Sequence, residues 1–192
     1  MAVTRLTTNG LTGTKYDIAS ADNYYMEPIA TNLLASATST ITFSNIPNTY
    51  KHLQIRYIAR STRADAYGYF RIRFNGDSGS NYSSHNLYGT GATVASNAST
   101  SASSIESTQI TGASATASIF GAGVIDILDY ANTNKFKTER FLTGDDRNNT
   151  QGFIYFKSGL WMNTAAITSI TISDEFNNFD TNTRFSLYGI KG

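Results

Sequence analysis

From residue 39 onward, apolar and polar residues alternate with a period of two, the pattern of half-buried β-strands. Residues 40–44 set Ile41 and Phe43 against hydroxyls and end at Asn45-Ile46-Pro47-Asn48, a turn signal. Residues 52–60 place Leu53, Ile55, Tyr57 and Ala59 on one face, with Gln54, Arg56, Ile58 and Arg60 on the other. Residues 67–74 turn Phe70, Ile72 and Phe74 inward and Tyr67, Tyr69, Arg71 and Arg73 outward. Asn75-Gly76-Asp77-Ser78-Gly79-Ser80 then breaks the strand, and a more polar strand follows over residues 81–88. The stretch 89–118 is rich in Ser, Thr, Ala and Gly, and reads as a long surface loop holding one weak edge strand. Further strands are expected over residues 119–130, 135–142, 153–158, 167–173 and 183–190, with a turn at Gly144-Asp145-Asp146-Arg147-Asn148-Asn149.

Eight or nine strands, no helix and no fixed repeat describe an all-β chain. Faces that alternate in this way belong to antiparallel sheets with one side on the core. The expected architecture is a two-sheet sandwich, jelly-roll-like, with an immunoglobulin-like sandwich as the runner-up. Residues 1–35 lack the periodicity and are read as an extended N-terminal arm, leaving 36–192 as the sandwich domain. The arm carries Tyr24, Tyr25, Met26, Ile29, Leu33 and Leu34, an apolar set suited to lying along the domain or a neighbouring subunit.

Composition supports this reading and narrows the chemistry. Ser, Thr and Asn make up a third of the 192 residues, and Tyr and Phe number 12 and 11. The absence of cysteine excludes disulfides, thiol catalysis and cysteine-ligated metals. A net charge of +1 removes the electrostatic case for a nucleic-acid partner. No apolar run is long enough to span a membrane, and the N-terminus lacks the apolar core of a secretory signal.

No enzyme emerges from the residues. Gly76-Asp77-Ser78-Gly79 matches the string around a serine-protease nucleophile, but the histidines are only His52 and His85 and the turn reading is far simpler. Asp145/Asp146 and Asp174/Glu175/Asp180 are acidic clusters without the spacing of a calcium loop. No cofactor, metal or catalytic residue is therefore expected. Tyr67, Tyr69, Arg71 and Trp161 join the arm residues as candidates for a subunit interface, since Tyr, Trp and Arg are enriched there, and Trp161 suits a core anchor equally. The outward tyrosines also suit a glycan-binding surface.

Several strings, taken in order, carry a resemblance: ITFSNIPNTYKHLQIR (41–56), YFRIRFNGDSGSNYSSHNLYG (69–89), DILDYANTNKFKTERFL (126–142), GLWMNTAAITSITI (159–172) and RFSLYGIKG (184–192). Together they resemble small virion structural proteins of tailed bacteriophages. The resemblance implies a non-catalytic β-sandwich used in many copies on the particle. The expected role is a capsid decoration (cement) protein, a homotrimer whose partners are other copies of itself and the major capsid or other virion proteins. The alternative is a tail-fibre or baseplate component that binds host surface glycans.

Overall fold

The computed structural model describes residues 25–147 and 152–192. The described residues form an all-β, two-sheet antiparallel sandwich with no helix. In chain order the strands are β1 (Met26–Leu33), β2 (Thr40–Phe43), β3 (His52–Ala59), β4 (Tyr67–Phe74), β5 (Tyr82–Gly89), β6 (Val94–Ala102), β7 (Ile105–Thr111), β8 (Gly121–Leu128), β9 (Lys137–Asp146), β10 (Gly152–Trp161), β11 (Ile170–Asp174) and β12 (Arg184–Ile190). The larger sheet has the order β1-β12-β3-β8-β9-β10-β5-β6, and the smaller β2-β11-β4-β7.

The alternating patterns are realised as expected in the strands that carry the core. Leu53, Ile55, Tyr57 and Ala59 of β3 are buried, as are Phe70, Ile72 and Phe74 of β4 and Ile41 and Phe43 of β2. Two aromatic contacts join the layers. Tyr57 and Phe185 of the larger sheet stack at 5.3 Å, and Phe70 of the smaller sheet meets them edge-on at 5.1 and 5.6 Å. At the other end, Phe74 packs 5.5 Å from Trp161, which stacks on Tyr82. The Trp161 indole N–H donates to Asp77 Oδ2 at 2.7 Å, and the Gly79 N–H donates to Asp77 Oδ1 at 2.8 Å. Those donors, Trp161 first, hold the Asp77 carboxyl below its ordinary range. The Gly76–Gly79 string is thus a structural turn that plugs the sandwich beside the tryptophan.

Three sequence readings need correction. The 89–118 stretch is not a loop with one weak strand, because it holds the end of β5 and all of β6 and β7. Its small hydroxyl residues hid two strands, since a side chain of two or three heavy atoms leaves little polar-apolar contrast. The turn placed at residue 144 starts later: Gly144, Asp145 and Asp146 pair with Ile154, Phe153 and Gly152. Asn148 and Asn149 lie outside the described residues. Arg60, placed outward, is buried at 6% exposure. Its guanidinium donates to the carbonyls of Ala113, Ala115, Thr116 and Ile119 at 2.7–3.2 Å. It thereby satisfies the backbone that crosses from β7 in the smaller sheet to β8 in the larger one.

Residues 26–33, grouped with the arm in the sequence, add to the sandwich as strand β1, paired with β12. Ile29 and Leu34 pack against the core of their own chain. Residues 1–24, with Tyr24, lie outside the described residues.

Replacing Arg60 with Lys keeps the charge but not the planar fork that reaches four carbonyls. R60K should therefore lose about 2 kcal/mol of stability, because charge-assisted hydrogen bonds to a partly buried crossing are lost. The urea unfolding midpoint measures this, and an unchanged midpoint would show that the crossing finds other donors.

Candidate interaction surface

Strand β7 positions the site. It ends the smaller sheet, yet Ile110 and its neighbours Gln109 and Thr111 are all buried, so both of its faces are covered. It packs against β5, β8, β9 and β10 of the larger sheet, which curls around it. The inner side chains of β10 and β5 are thereby brought beside the outward tyrosines of β4.

A run of rings fills that junction. Tyr88 stacks on Tyr155 at 5.1 Å, Tyr155 on Phe153 at 5.9 Å, and Phe153 meets Tyr67 at 6.1 Å. Tyr67 continues to Tyr69 at 5.4 Å, and Tyr69 to Phe176 at 6.1 Å. Two guanidiniums cap the run. Arg63 lies 4.4 Å from the Phe176 ring centre and within 6 Å of Tyr67 and Tyr69. Arg147 lies 5.3 Å from Tyr67 and 5.2 Å from Phe153. Each such contact is worth about 0.5–1 kcal/mol where solvent is near. Phe176 is 56% exposed and the tyrosines are half-buried, so the run meets solvent most openly at its Phe176 end. Burial pushes the Tyr69 hydroxyl above its ordinary range, which keeps the surface phenolic and neutral. Such a surface can hold a partner by ring contact and hydrogen bonding, and offers no nucleophile.

The sequence candidates divide into separate groups. Tyr67 and Tyr69 are part of this surface, and Arg71 borders it, held to Glu175 through a 3.3 Å hydrogen bond to its carbonyl and an ion pair at 3.8 Å. Tyr25 and Leu33 are exposed and Met26 is half-buried, but Met26 and Leu33 belong to β1, which Tyr25 directly precedes, at the opposite edge of the larger sheet. Of the two readings of Trp161, the core one holds: it is 1% exposed, and its indole packs between Phe74 and Tyr82. Sequence reasoning missed Arg63, Arg147, Phe153, Tyr155 and Phe176, which come from loops and strands that only the curled sheet unites.

The acidic clusters do not converge. Asp145 faces inward, where both of its oxygens accept from Arg147 Nε at 2.9 and 3.1 Å, while Asp146 is on the opposite face of β9. Desolvation still raises the Asp145 carboxyl more than Arg147 lowers it. Asp174 Oδ1 accepts from the N–H groups of Phe176 and Asn177, and Asp180 lies near Arg60. Among the described residues no group of three His, Asp or Glu side chains could hold a metal ion. His52 accepts from the Asp129 N–H at 2.9 Å, and His85 stands on β5, with three strands between it and β3. Ser78 sits exposed in its turn, so no nucleophile-base pair forms.

No protein-family model matches this chain, and no curated protein matches it. Among solved structures, the crystal structure of galectin LEC-6 from Caenorhabditis elegans is similar over 84% of this chain and 96% of that one. The identity is 8% and the TM-score 0.34, values at which the likeness says nothing about ligand or role. The sandwich itself rests on the strand pairing described above.

The most perturbed acid lies away from the ring surface. Glu139 of β9 is 1% exposed, and its two oxygens have no hydrogen-bond partner among the described residues. Burial raises it from an ordinary 4.5 to about 8, and the buried Lys157 draws it back only in part. It lines neither of the two open depressions that flank Ile154 on the outer face, and so acts as a neutral core group. A folded-state pKa above the unfolded one means that the native state holds the extra proton. This group's contribution is therefore fully present below about pH 4.5 and is lost as the pH rises to about 8. Glu139→Gln should flatten the fall in thermal unfolding temperature over that window, and an unchanged slope would remove Glu139 as its source.

Proposed function

We propose that this chain is a non-catalytic structural protein of a tailed-bacteriophage virion, and that it decorates and reinforces the capsid shell. The observation that carries the reading is the ring surface of Tyr67, Tyr69 and Phe176 with Arg63, a partly exposed aromatic face with arginine. Aromatic residues and Arg are the types that concentrate at the centres of protein–protein interfaces. The ordered strings that resemble virion structural proteins support the same reading. The physical work of a decoration protein is interface burial, at about 25 cal/mol per Å² of apolar surface. Copies that bind the assembled shell and not its parts stabilise it by mass action.

The second reading, a tail component that binds host glycans, is favoured by the same exposed rings, since Phe176 and Tyr69 offer faces on which a sugar can stack. The copy number per particle separates the two, with hundreds for a shell protein and a handful for a tail protein.

Particles assembled without this protein should release their genome at a lower temperature. Tyr69→Ser with Phe176→Ser should leave the circular dichroism of the isolated protein unchanged. Shell occupancy should weaken roughly thirtyfold, as loss of about 2 kcal/mol at an interface centre implies. Unchanged occupancy together with unchanged heat tolerance would count against a cement role.

A further inference from the structure

A sheet edge exposes unpaired backbone donors and acceptors, and proteins ordinarily block it with charge, proline, a bulge, shortness or a cover. The sandwich has four such edges, and three are closed. Strand β7 is covered on both faces by the curled larger sheet. Strand β2 has only four residues. Strand β1 carries Glu27, Pro28 and a register irregularity between Pro28 and Ala30, so its ladder cannot be extended cleanly. Strand β6 has one of these devices, at its far end only, where its pairing with β5 shifts register between Ser99 and Ala102. Its nine residues, VASNASTSA, include no charge, proline or glycine, and among the described residues it pairs with β5 alone. The left-handed Ser101 (φ 53°) sits in that irregularity, which leaves Val94 to Ser99 as a clean ladder.

We propose that β6 is a self-association edge, which pairs antiparallel with β6 of a second copy across a two-fold axis and joins two larger sheets into one. The partner follows from the inventory of edges. Within a second copy, β1 is blocked, β2 is short and β7 is covered, so the matching bare edge is β6 itself. An isologous contact of this kind closes at two copies. The surface beside the edge fits the same arrangement: Leu87, Val94, Ile154 and Phe156 are each more than half exposed on the outer face of β5, β6 and β10. Pairing at β6 sets the two apolar strips side by side. The small side chains of β6 leave room for the incoming strand, and the middle of the ladder is Asn97, held by Asn86 through a 2.6 Å hydrogen bond. This symmetry differs from the trimer suggested by the virion resemblance, and it holds whatever role the protein has.

Sedimentation equilibrium of the full chain between about 5 and about 200 µM tests the proposal. The expected result is a monomer–dimer equilibrium that Ser96→Lys with Ala98→Lys abolishes while the circular dichroism is unchanged. A monomer throughout, a trimer, or a dimer that the lysines leave intact would overturn it. If the lysine variant fails to fold, Asn97→Cys serves instead, because the chain has no cysteine of its own. Directly paired Cα atoms lie about 4.5–5.5 Å apart, within disulfide range. Mild oxidation should cross-link Asn97→Cys into a dimer and leave a Thr40→Cys control on β2 monomeric. Equal cross-linking of both, or of neither, would overturn the two-fold axis at β6.

Discussion

The structure turns on one buried guanidinium. A chain that crosses from one sheet of a sandwich to the other must leave its ladder partners behind, and its carbonyls then need other donors. Between β7 and β8 that crossing is satisfied by Arg60, whose donors reach four carbonyls over residues 113–119. Because Arg60 directly follows β3, the middle of the larger sheet and the crossing are tied by the same residue. The curled half of that sheet, β8 through β6, hangs from this junction.

Lysine plays a similar part at the other end. Lys137 is 1% exposed and its ammonium donates to the carbonyls of Asn132, Lys135 and Thr164, three donors for three acceptors. Burial lowers its pKa, but the carbonyls supply the negative ends of dipoles that water would otherwise provide. The two buried cations differ as their geometry requires: a fork serves an arc of four carbonyls, and a point charge serves three converging ones. Both loops are thereby made rigid without disulfide or metal.

This arrangement also accounts for where a partner can be held. The covered β7 edge brings aromatic side chains from both sheets to one end of the sandwich, and arginines cap them. Charge is spent inward, on Arg60, Lys137 and the Arg147–Asp145 pair, which leaves a surface dominated by hydroxyls, amides and rings. Such a surface recognises by shape and contact. The ring surface and the bare β6 edge both arise at the curled half of the larger sheet, one on its inner side and one at its margin.

The sequence by itself determined the fold class and the inward faces. Ile41, Phe43, Leu53, Ile55, Phe70, Ile72 and Phe74 are buried where period-two alternation puts them, because a pleated strand leaves a side chain only two directions. It also determined that Gly76–Gly79 is a turn, since Asp, Ser and Gly hydrogen-bond and bend locally. It showed one weak strand where β6 and β7 both stand, because the small hydroxyl residues of β6 carry little apolar contrast and the pairing of both is set by other strands. Only the tertiary structure decided that Arg60 and Trp161 lie inside: a residue at a strand end or beside a turn takes its environment from whatever packs across from it. The same holds for the ring surface. Tyr67 and Phe153 stand 86 positions apart and meet because one sheet curls around the edge of the other, a long-range event that no local pattern records.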